Sequence, residues 1–316
     1  MRIVFLGTGE IAIPTFRALV ASEHEVVALI TQPDKPVGRR SELKPPAIKV
    51  VAQEHGIPVM QPERVKSEEA LAELSALEPE LMVVMAYGQI LPQELIEMPR
   101  KAIINLHASL LPKYRGASCI QAALANGDAE TGWTVMHVVK ALDAGDIIET
   151  QVLAISPEET GESLHDRLAE AGPASLISAL ALLEEGAAPR IPQEEEMMSY
   201  APKVEREDGR IDWSRPAEEL ERLIRAYHTW PGTFTTFVDG KGKERRVKIF
   251  PQVTCSGQSG APGEILSADV DGEGGVLVAC GEGSLALGEV QPEGSKRMPV
   301  ADFLRGISVT SFGSVQ

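Results

Sequence analysis

Short apolar runs that alternate with segments of helical periodicity are the feature that most constrains the fold of this 316-residue chain. Such runs are apolar on both faces of the strands they predict, as in a parallel sheet that helices cover on both sides. A repeated strand–helix order is typical of a doubly wound α/β sheet, which we predict for the N-terminal part. The predicted strands are residues 2–6, 26–31, 57–60, 81–86 and 102–107.

Helical periodicity fills the stretches between and after these strands. We predict helices over residues 11–21 and 47–55, and a third helix that Ser67 caps. Two further β-like runs, 133–139 and 147–155, precede a long helix over 162–185, which we expect to be interrupted at Gly172-Pro173.

The sequence changes character after residue 186, where prolines and the acidic run Glu194-Glu195-Glu196 replace periodic apolar positions. We interpret 190–206 as a linker between a domain of residues 1–189 and a second of residues 207–316. The second domain holds one helix, 217–227, and short β-like runs separated by glycine, which predict a small β-barrel. Those five runs are 233–238, 246–250, 263–268, 275–279 and 284–290.

Charge and cysteine content limit the classes of function that this chain can have. The net charge is −16, which alone argues against a nucleic-acid partner, but residues 206–316 hold 13 Lys and Arg against 16 Asp and Glu. The acidic excess therefore lies in the first two-thirds of the chain. Three widely spaced cysteines, no metal-binding histidine pair and no apolar run of about 18 residues predict a reduced, cytoplasmic protein without metal or membrane span.

A glycine-rich turn follows the first predicted strand. Gly7-Thr8-Gly9 with Ala12 fits the dinucleotide-binding pattern, in which a strand, the turn and a helix follow one another. That pattern also requires an acidic residue at the end of the second strand, where this chain has Gln32. The glycines can equally form a tight strand–helix turn, and Gln32 disfavours NAD.

Two polar side chains end a predicted buried strand. Asn105 and His107 point to the same face, because strand side chains alternate. They lie at the carboxyl end of a parallel strand, where open α/β sheets bind ligands. An amide and an imidazole can stabilise an oxyanion, and the carboxylate of Asp143 could raise the pKa of His107. A hydrogen-bonded core pair is the alternative. His137 is interpreted as structural.

These residues carry a resemblance to a known family. Asn105, the run His107–Pro112 with Gly116, and the turn 142–146 resemble the signature of the folate-dependent formyltransferases. Other segments are similar to the branch of that family that acts on methionyl initiator tRNA, so that the resemblance runs nearly end to end. Those segments are 31–39, 84–92, 210–213, 230–232 and 302–306.

The resemblance implies a Rossmann-like catalytic domain followed by an OB-like barrel that helps to hold tRNA. It implies transfer of a formyl group from 10-formyltetrahydrofolate to the free amino group of methionyl initiator tRNA, which gives formylmethionyl-tRNA for translation initiation. Asn105, His107 and Asp143 would be the catalytic residues, acting without a covalent intermediate. The folate contacts that it implies are Ser109, Leu110, Leu111, Pro112, Ala86, Gly88 and Ile90.

Basic clusters supply candidate tRNA contacts. The loop 34–49 has a net charge of +3 and the stretch 241–248 a net charge of +4. Both clusters could be solvated turns, but clustered Lys and Arg side chains also bind the phosphate groups of a nucleic acid. The candidates are Arg39, Arg40, Lys44, Lys243, Arg245, Arg246, Lys296 and Arg297.

Three alternatives stay open. A formyltransferase for an amino sugar nucleotide can share the catalytic residues, although the basic loop 34–49 speaks against it. A purine-pathway formyltransferase gives no reason for a second domain. A nucleotide-binding module without catalysis is disfavoured by Gln32 and by Asn105, His107 and Asp143. We expect a monomer.

Overall fold

The computed structural model describes residues 1–38, 41–239, 241–270, 275–306, 309 and 311–313. The chain divides into two compact units. The first consists of Met1–Cys119, Glu130–Ala154 and His165–Ala201, and the second of Ile120–Ala129, Ile155–Leu164 and Pro202–Gln316. Two short excursions from the first two-thirds of the sequence thus group with the C-terminal part, a feature that the linear sequence did not indicate.

A seven-stranded sheet with the order β5-β2-β1-β6-β7-β8-β9 forms the first unit. The strands of this unit are β1 Arg2–Gly7, β2 Glu25–Ile30, β3 Lys35–Val37, β4 Glu42–Lys44, β5 Val59–Met60, β6 Leu81–Met85, β7 Ala102–His107, β8 Glu130–His137 and β9 Ile147–Ala154. Neighbours from β5 to β7 pair in parallel, whereas β8 and β9 pair antiparallel. The doubly wound parallel sheet predicted from the apolar runs is confirmed, with an antiparallel edge added. The loop 34–49 contains the hairpin β3–β4.

Eight α-helices lie in the described residues. They are α1 Ile13–Val20, α2 Ala47–Glu54, α3 Glu68–Ala76, α4 Gln93–Ile96, α5 Cys119–Ala125, α6 Gly161–Glu184, α7 Ala217–Ala226 and α8 Val300–Gly306. Ser67 caps α3 as predicted, since its hydroxyl accepts from the amide of Ala70. The predicted interruption of α6 is wrong, because the helix continues through Pro173. Buried Leu168 and Leu176 anchor α6 on both sides of the proline, which offsets the lost hydrogen bond.

Two four-stranded antiparallel sheets make up the C-terminal part, in the orders β10-β11-β16-β17 and β12-β15-β14-β13. One core cluster contains Val247 and Val290 from the first sheet and Val278 and Leu285 from the second. The small antiparallel domain is therefore confirmed, but the prediction of five strands was too low. The strands are β10 Thr233–Val238, β11 Glu244–Ile249, β12 Val253–Ser256, β13 Ile265–Val270, β14 Gly275–Ala279, β15 Ser284–Leu287, β16 Glu289–Pro292 and β17 Met298–Pro299.

None of the helices in the described part of the chain is long and apolar enough to cross a membrane.

Candidate active site

The carboxyl ends of the central strands form an open edge of the sheet. Strand β1 lies between β2 and β6, so the order of the strands reverses there, where open α/β sheets bind ligands. Directly after β6, Ala86 and Gly88 are exposed, and Ile90 is 88% exposed. The next strand along, β7, ends at His107. Three of the predicted folate contacts thus lie at this edge, beside the predicted catalytic strand.

Strand β7 holds Asn105 and His107 two residues apart. Asn105 is half-buried, and its amide makes no hydrogen bond to any residue that the structure describes. His107 is only 7% exposed, and its Nε2 lies 2.9 Å from the carbonyl oxygen of Tyr114. Because a carbonyl only accepts, Nε2 carries a proton, and the Nδ1 edge of the ring is left for other partners.

Asp143 lies beside that second edge of the ring. Its Oδ2 atom is 3.8 Å from Nδ1 of His107, within ion-pair distance but beyond a hydrogen bond. The same oxygen accepts a 2.8 Å hydrogen bond from the amide of Gly116. The structure therefore brings together the imidazole and the carboxylate that the sequence placed 36 residues apart.

The surroundings of His107 raise its pKa to about 9. Burial acts in the opposite direction, and it is outweighed by the Cys119 side chain, the Asp143 carboxylate and the Tyr114 carbonyl. His107 is consequently protonated at neutral pH, with N–H groups on both ring nitrogens.

Three residues around the site have a backbone conformation that side chains rarely adopt. The φ angles are 50° at Ala86, 62° at Tyr114 and 50° at Asp143. Each such position costs about 1–3 kcal/mol and persists only where its surroundings hold it. Ala86 directly follows β6, the carbonyl of Tyr114 contacts His107 and the carboxylate of Asp143 lies beside the same ring, so the strained positions cluster around the polar side chains.

The turn after β7 is held by an internal network. The hydroxyl of Thr134 donates to the carbonyl of Ser109 at 2.6 Å and accepts from the amide of Leu111 at 3.0 Å. The hydroxyl of Ser109 donates to the carbonyl of Lys113 at 2.6 Å. Ser109, Leu110, Leu111 and Pro112 thus form a fixed turn, but the Ser109 hydroxyl is buried and already engaged. Their contact with folate stays a prediction.

The glycine turn after β1 does not present its amides to a ligand. The amides of Thr8 and Gly9 both donate to the carbonyl of Ala86, at 3.2 and 3.3 Å. A Cβ on Gly9 would lie 3.1 Å from Cβ of Ala86, so the glycine permits close packing of two loops. This arrangement agrees with the interpretation of the motif as a tight turn rather than a dinucleotide site.

The candidate tRNA contacts have diverse surroundings. Arg39 and Arg40 lie outside the described residues, and Lys44 is exposed on β4 opposite Lys35.

Arg245 pairs with Asp239 at 3.2 Å. Arg246 pairs with Glu207 at 3.0 Å and lies over the ring of Phe234. Arg297 pairs with Glu289 and lies over the ring of Phe250, whereas Lys243 and Lys296 are exposed without an ion pair to a described residue.

Sequence reasoning missed three side chains next to the site. Cys119 is buried and contributes to the raised pKa of His107, and Arg115 and Gln193 support the backbone around Asp143. Arg115 lies next to Gly116 of the family signature, and this position in the sequence was a signal by which it could have been found. Gln193 lies in the segment interpreted as a linker. No group of three His, Cys, Asp or Glu side chains able to hold a metal ion is found in the described part of the chain.

Both parts of the chain match models of one protein family. Residues 1–180 match the formyl transferase model, and residues 203–308 match the model of the formyl transferase C-terminal domain. The chain therefore belongs to the formyl transferase family.

Curated relatives that match nearly the whole chain are named methionyl-tRNA formyltransferases. The protein of that name from Akkermansia muciniphila is 52% identical over 97% of this chain and 96% of its own length. Those from Pseudomonas putida and Geobacter sulfurreducens are 49% and 45% identical, over 96% and 97% of this chain and 94% of theirs.

More distant solved structures share the fold. WlaRD, a sugar 3N-formyl transferase, superposes with a TM-score of 0.64 at 15% identity, over 94% of this chain and 99% of its own. HypX from Aquifex aeolicus, in complex with tetrahydrofolic acid, gives a TM-score of 0.62 at 22% identity over 96% of this chain. This chain spans about half of HypX, 47% of its length.

Proposed function

We propose that this protein transfers the formyl group of 10-formyltetrahydrofolate to the amino group of methionyl initiator tRNA. The observation that carries the proposal is the identity of 45–52% with proteins of that activity over nearly the whole chain, both domains included. The arrangement of Asn105, His107 and Asp143 at the open sheet edge supports it.

The exposed edge after β6 and β7 fits a folate. Ala86, Gly88 and Ile90 present backbone and an apolar side chain to solvent, beside Asn105, whose amide has no hydrogen bond to a described residue. The pterin ring of a folate carries several hydrogen-bond donors and acceptors, which suit an edge of exposed backbone and few side chains. The co-substrate supplies the formyl group and leaves as tetrahydrofolate.

Asn105 and His107 would stabilise the negative charge that develops on the formyl oxygen. The amide of Asn105 has donors to spare, and protonated His107 carries a second N–H on Nδ1. Asp143 keeps His107 charged, and its remaining oxygen can take up a proton from the attacking amine. The gap of 3.8 Å between Nδ1 and Oδ2 requires a bridging group or a small closure for proton movement between them.

The basic residues of the second unit would contact the tRNA backbone. Lys243, Arg245, Arg246, Lys296 and Arg297 are exposed or partly exposed and lie on or beside β11 and β17. Arg39, Arg40 and Lys44 of the loop 34–49 would add contacts. Electrostatic attraction of this kind weakens steeply with salt.

The protein would act as a cytoplasmic monomer with a domain boundary near residues 190–206. Its three cysteines are free, which a reducing compartment permits. Light scattering of the purified protein tests the monomer directly, and a mass of about two chains would contradict it.

A single comparative assay tests the activity. The protein is given radiolabelled 10-formyltetrahydrofolate and, in separate reactions, methionyl initiator tRNA, uncharged initiator tRNA, an amino sugar nucleotide and glycinamide ribonucleotide. We expect label only in the methionyl-tRNA, released as formylmethionine on mild base treatment. Label in the sugar nucleotide and none in tRNA would establish the alternative substrate class instead.

A further inference from the structure

We propose that residues 191–201, here named the strap, are a positioning element of the active site and that Gln193 holds Asp143 in place. The strap lies in a segment whose sequence predicted only a linker. The proposal goes beyond the formyl transfer proposed above and concerns what holds the catalytic groups in position relative to one another.

Gln193 joins the strap to the Asp143 loop through both ends of its amide. Its Nε2 donates to the carbonyl of Asp143 at 2.8 Å and to that of Gly145 at 2.9 Å. Its Oε1 accepts from Nε and Nη2 of Arg115, at 3.0 and 2.8 Å. Since all four contacts are complementary, the amide has one orientation, and the backbone on both sides of Ala144 is fixed to it.

Arg115 is a buried cation that completes this network. It is 7% exposed, and it also pairs with Glu195 of the strap through two hydrogen bonds of 3.1 and 2.6 Å. A buried guanidinium requires such partners, because an unpaired buried charge is strongly destabilising. Two strap side chains therefore lock one arginine, which lies next to the glycine whose amide binds Asp143.

The strap also holds the backbone groups that contact the catalytic pair. The hydroxyl of Ser199 accepts from the amide of Tyr114 at 2.9 Å, and the carbonyl of Ser199 accepts from the amide of Arg115 at 2.9 Å. A Cβ on Gly116 would lie only 2.5 Å from the carbonyl oxygen of Ala201. The carbonyl of Tyr114 and the amide of Gly116, which bind His107 and Asp143, are thus both positioned by the strap.

This arrangement explains how strained residues keep a defined geometry. Asp143 and Tyr114 both have positive φ. Tyr114 is hydrogen-bonded to Ser199 of the strap through its amide and to His107 through its carbonyl. The carbonyl of Asp143 accepts from Gln193 of the strap, and its carboxylate accepts from the amide of Gly116 and lies 3.8 Å from Nδ1 of His107. Without Gln193 the Asp143 loop can relax, and the carboxylate then moves away from Nδ1 of His107. A weaker carboxylate contact lowers the pKa of His107.

The test replaces Gln193 with Met, which has a similar shape and no amide, alone and together with Asp143→Asn. Glu196→Gln is the matched control, because Glu196 is an exposed strap residue without a side-chain contact among the described residues. The readouts are kcat, KM for tRNA and the pH dependence of kcat. Direct NMR titration of His107 adds a readout that needs no substrate.

For Gln193→Met we expect kcat to fall roughly 10- to 30-fold with KM for tRNA changed less than about threefold, since the loss is in the alignment of the catalytic groups. The pKa of His107 should fall, and the high-pH limb of kcat should move down with it. In the Asp143→Asn background the same change should cost less than about twofold, because Gln193 acts through Asp143. Glu196→Gln should behave as the parent.

Equal losses of kcat in both backgrounds, or an unchanged His107 titration, would overturn the proposal and leave Gln193 a structural residue. Should Gln193→Met not fold, Gln193→Glu keeps the contact with Arg115 but sets a carboxylate against two carbonyls, and the same outcomes apply. Because the NMR titration does not depend on the substrate, a failure of the proposed formyl transfer leaves this test intact.

Discussion

The active-site loops of the first unit and the basic ridge of the second, residues 241–248, use their polar groups in opposite ways. At the active site His107, Asp143 and Arg115 are largely buried, and each has fixed backbone or side-chain partners. On the ridge the cations are exposed, and two of them pair with carboxylates, Arg245 with Asp239 and Arg246 with Glu207.

This contrast distinguishes groups suited to the chemical step from groups suited to the electrostatic attraction of tRNA. Fixed donors in a water-poor site need no reorganisation as charge develops, so small displacements are costly there. Exposed ion pairs contribute little to stability, about 0–1 kcal/mol, and can exchange a carboxylate for a phosphate. We therefore expect substitutions at the site to act on turnover and substitutions on the ridge to act on tRNA binding.

The largest effect should come from the three residues that we propose to be catalytic. Asn105→Ala, His107→Ala and Asp143→Ala should each lower kcat by about 100-fold or more, because each removes an oxyanion donor or the group that keeps the donor charged. KM for tRNA should change little. Initial-rate measurements check this, with the half-buried His165→Ala as control. Near-normal rates in all three folded variants would contradict the assignment.

Gly145→Ala should be the next most damaging change, and it acts on the fold of the loop. A Cβ at this position would overlap the carbonyl oxygen of His137, and the carbonyl of Gly145 accepts from Gln193. We expect a loss of about 2–4 kcal/mol in the free energy of unfolding, measured by urea denaturation.

Gly257→Ala is the matched control, since nothing lies within 4 Å of a Cβ there. It should change the free energy of unfolding by less than about 0.5 kcal/mol. Equal effects of the two substitutions would show that the Gly145 loop has room to adjust.

Charge reversal on the ridge should raise KM for tRNA without a comparable loss of kcat. With Lys243, Arg245 and Arg246 all changed to Glu, we expect roughly a tenfold rise and a shallower dependence on salt, because fewer phosphates are neutralised. Reversal at Arg245 also sets two carboxylates against each other. Lys243→Glu alone therefore gives the cleaner result, compared with Lys66→Glu on the first unit.

If tRNA kinetics respond equally to Lys66→Glu and Lys243→Glu, only the total charge matters and the ridge is not a tRNA contact. Filter binding over a range of salt concentrations gives the number of phosphates involved from the slope.

The sequence was sufficient to predict a strand or a helix cap wherever the signal lay within a few neighbouring residues. Strands β7, β10 and β14 have the bounds that the apolar runs predict, and the cap at Ser67 follows from one hydroxyl before two acidic residues. The contact of Asp143 with His107 was a possibility from the residues and an implication of the resemblance. Spacing alone could not establish it, because tertiary structure brings the two loops together and spacing does not reveal that.

Contacts between segments that are far apart in the chain could not be predicted from the sequence. Gln193 reaches Asp143 across 50 residues from a proline-rich stretch that lacks periodicity, and irregular chain held by side-chain hydrogen bonds leaves no repeating pattern. The run 284–290 read as one strand, but Gly288 divides it into β15 and β16, which belong to different sheets. Pairing of this kind depends on tertiary packing.

Cys119 should give the smallest effect, visible in the pH dependence. Its side chain contributes to raising the pKa of His107 from an ordinary 6.5 to about 9. Cys119→Ala should therefore move the high-pH limb of kcat to lower pH, with little change at pH values below the unfolded-state pKa of histidine. Cys119→Ser, which retains a hydrogen-bonding group, should stay closer to the parent.

The same shift affects stability, with a definite sign. A pKa raised on folding means that the folded state binds the proton more tightly, so this contribution is complete below about 6.5 and is lost as the pH rises through about 9. Unfolding free energies of the parent should fall across that window, and those of Cys119→Ala should fall less. Identical slopes in the two proteins would mean that Cys119 does not tune His107, and that Asp143 and the Tyr114 carbonyl alone keep the imidazole charged.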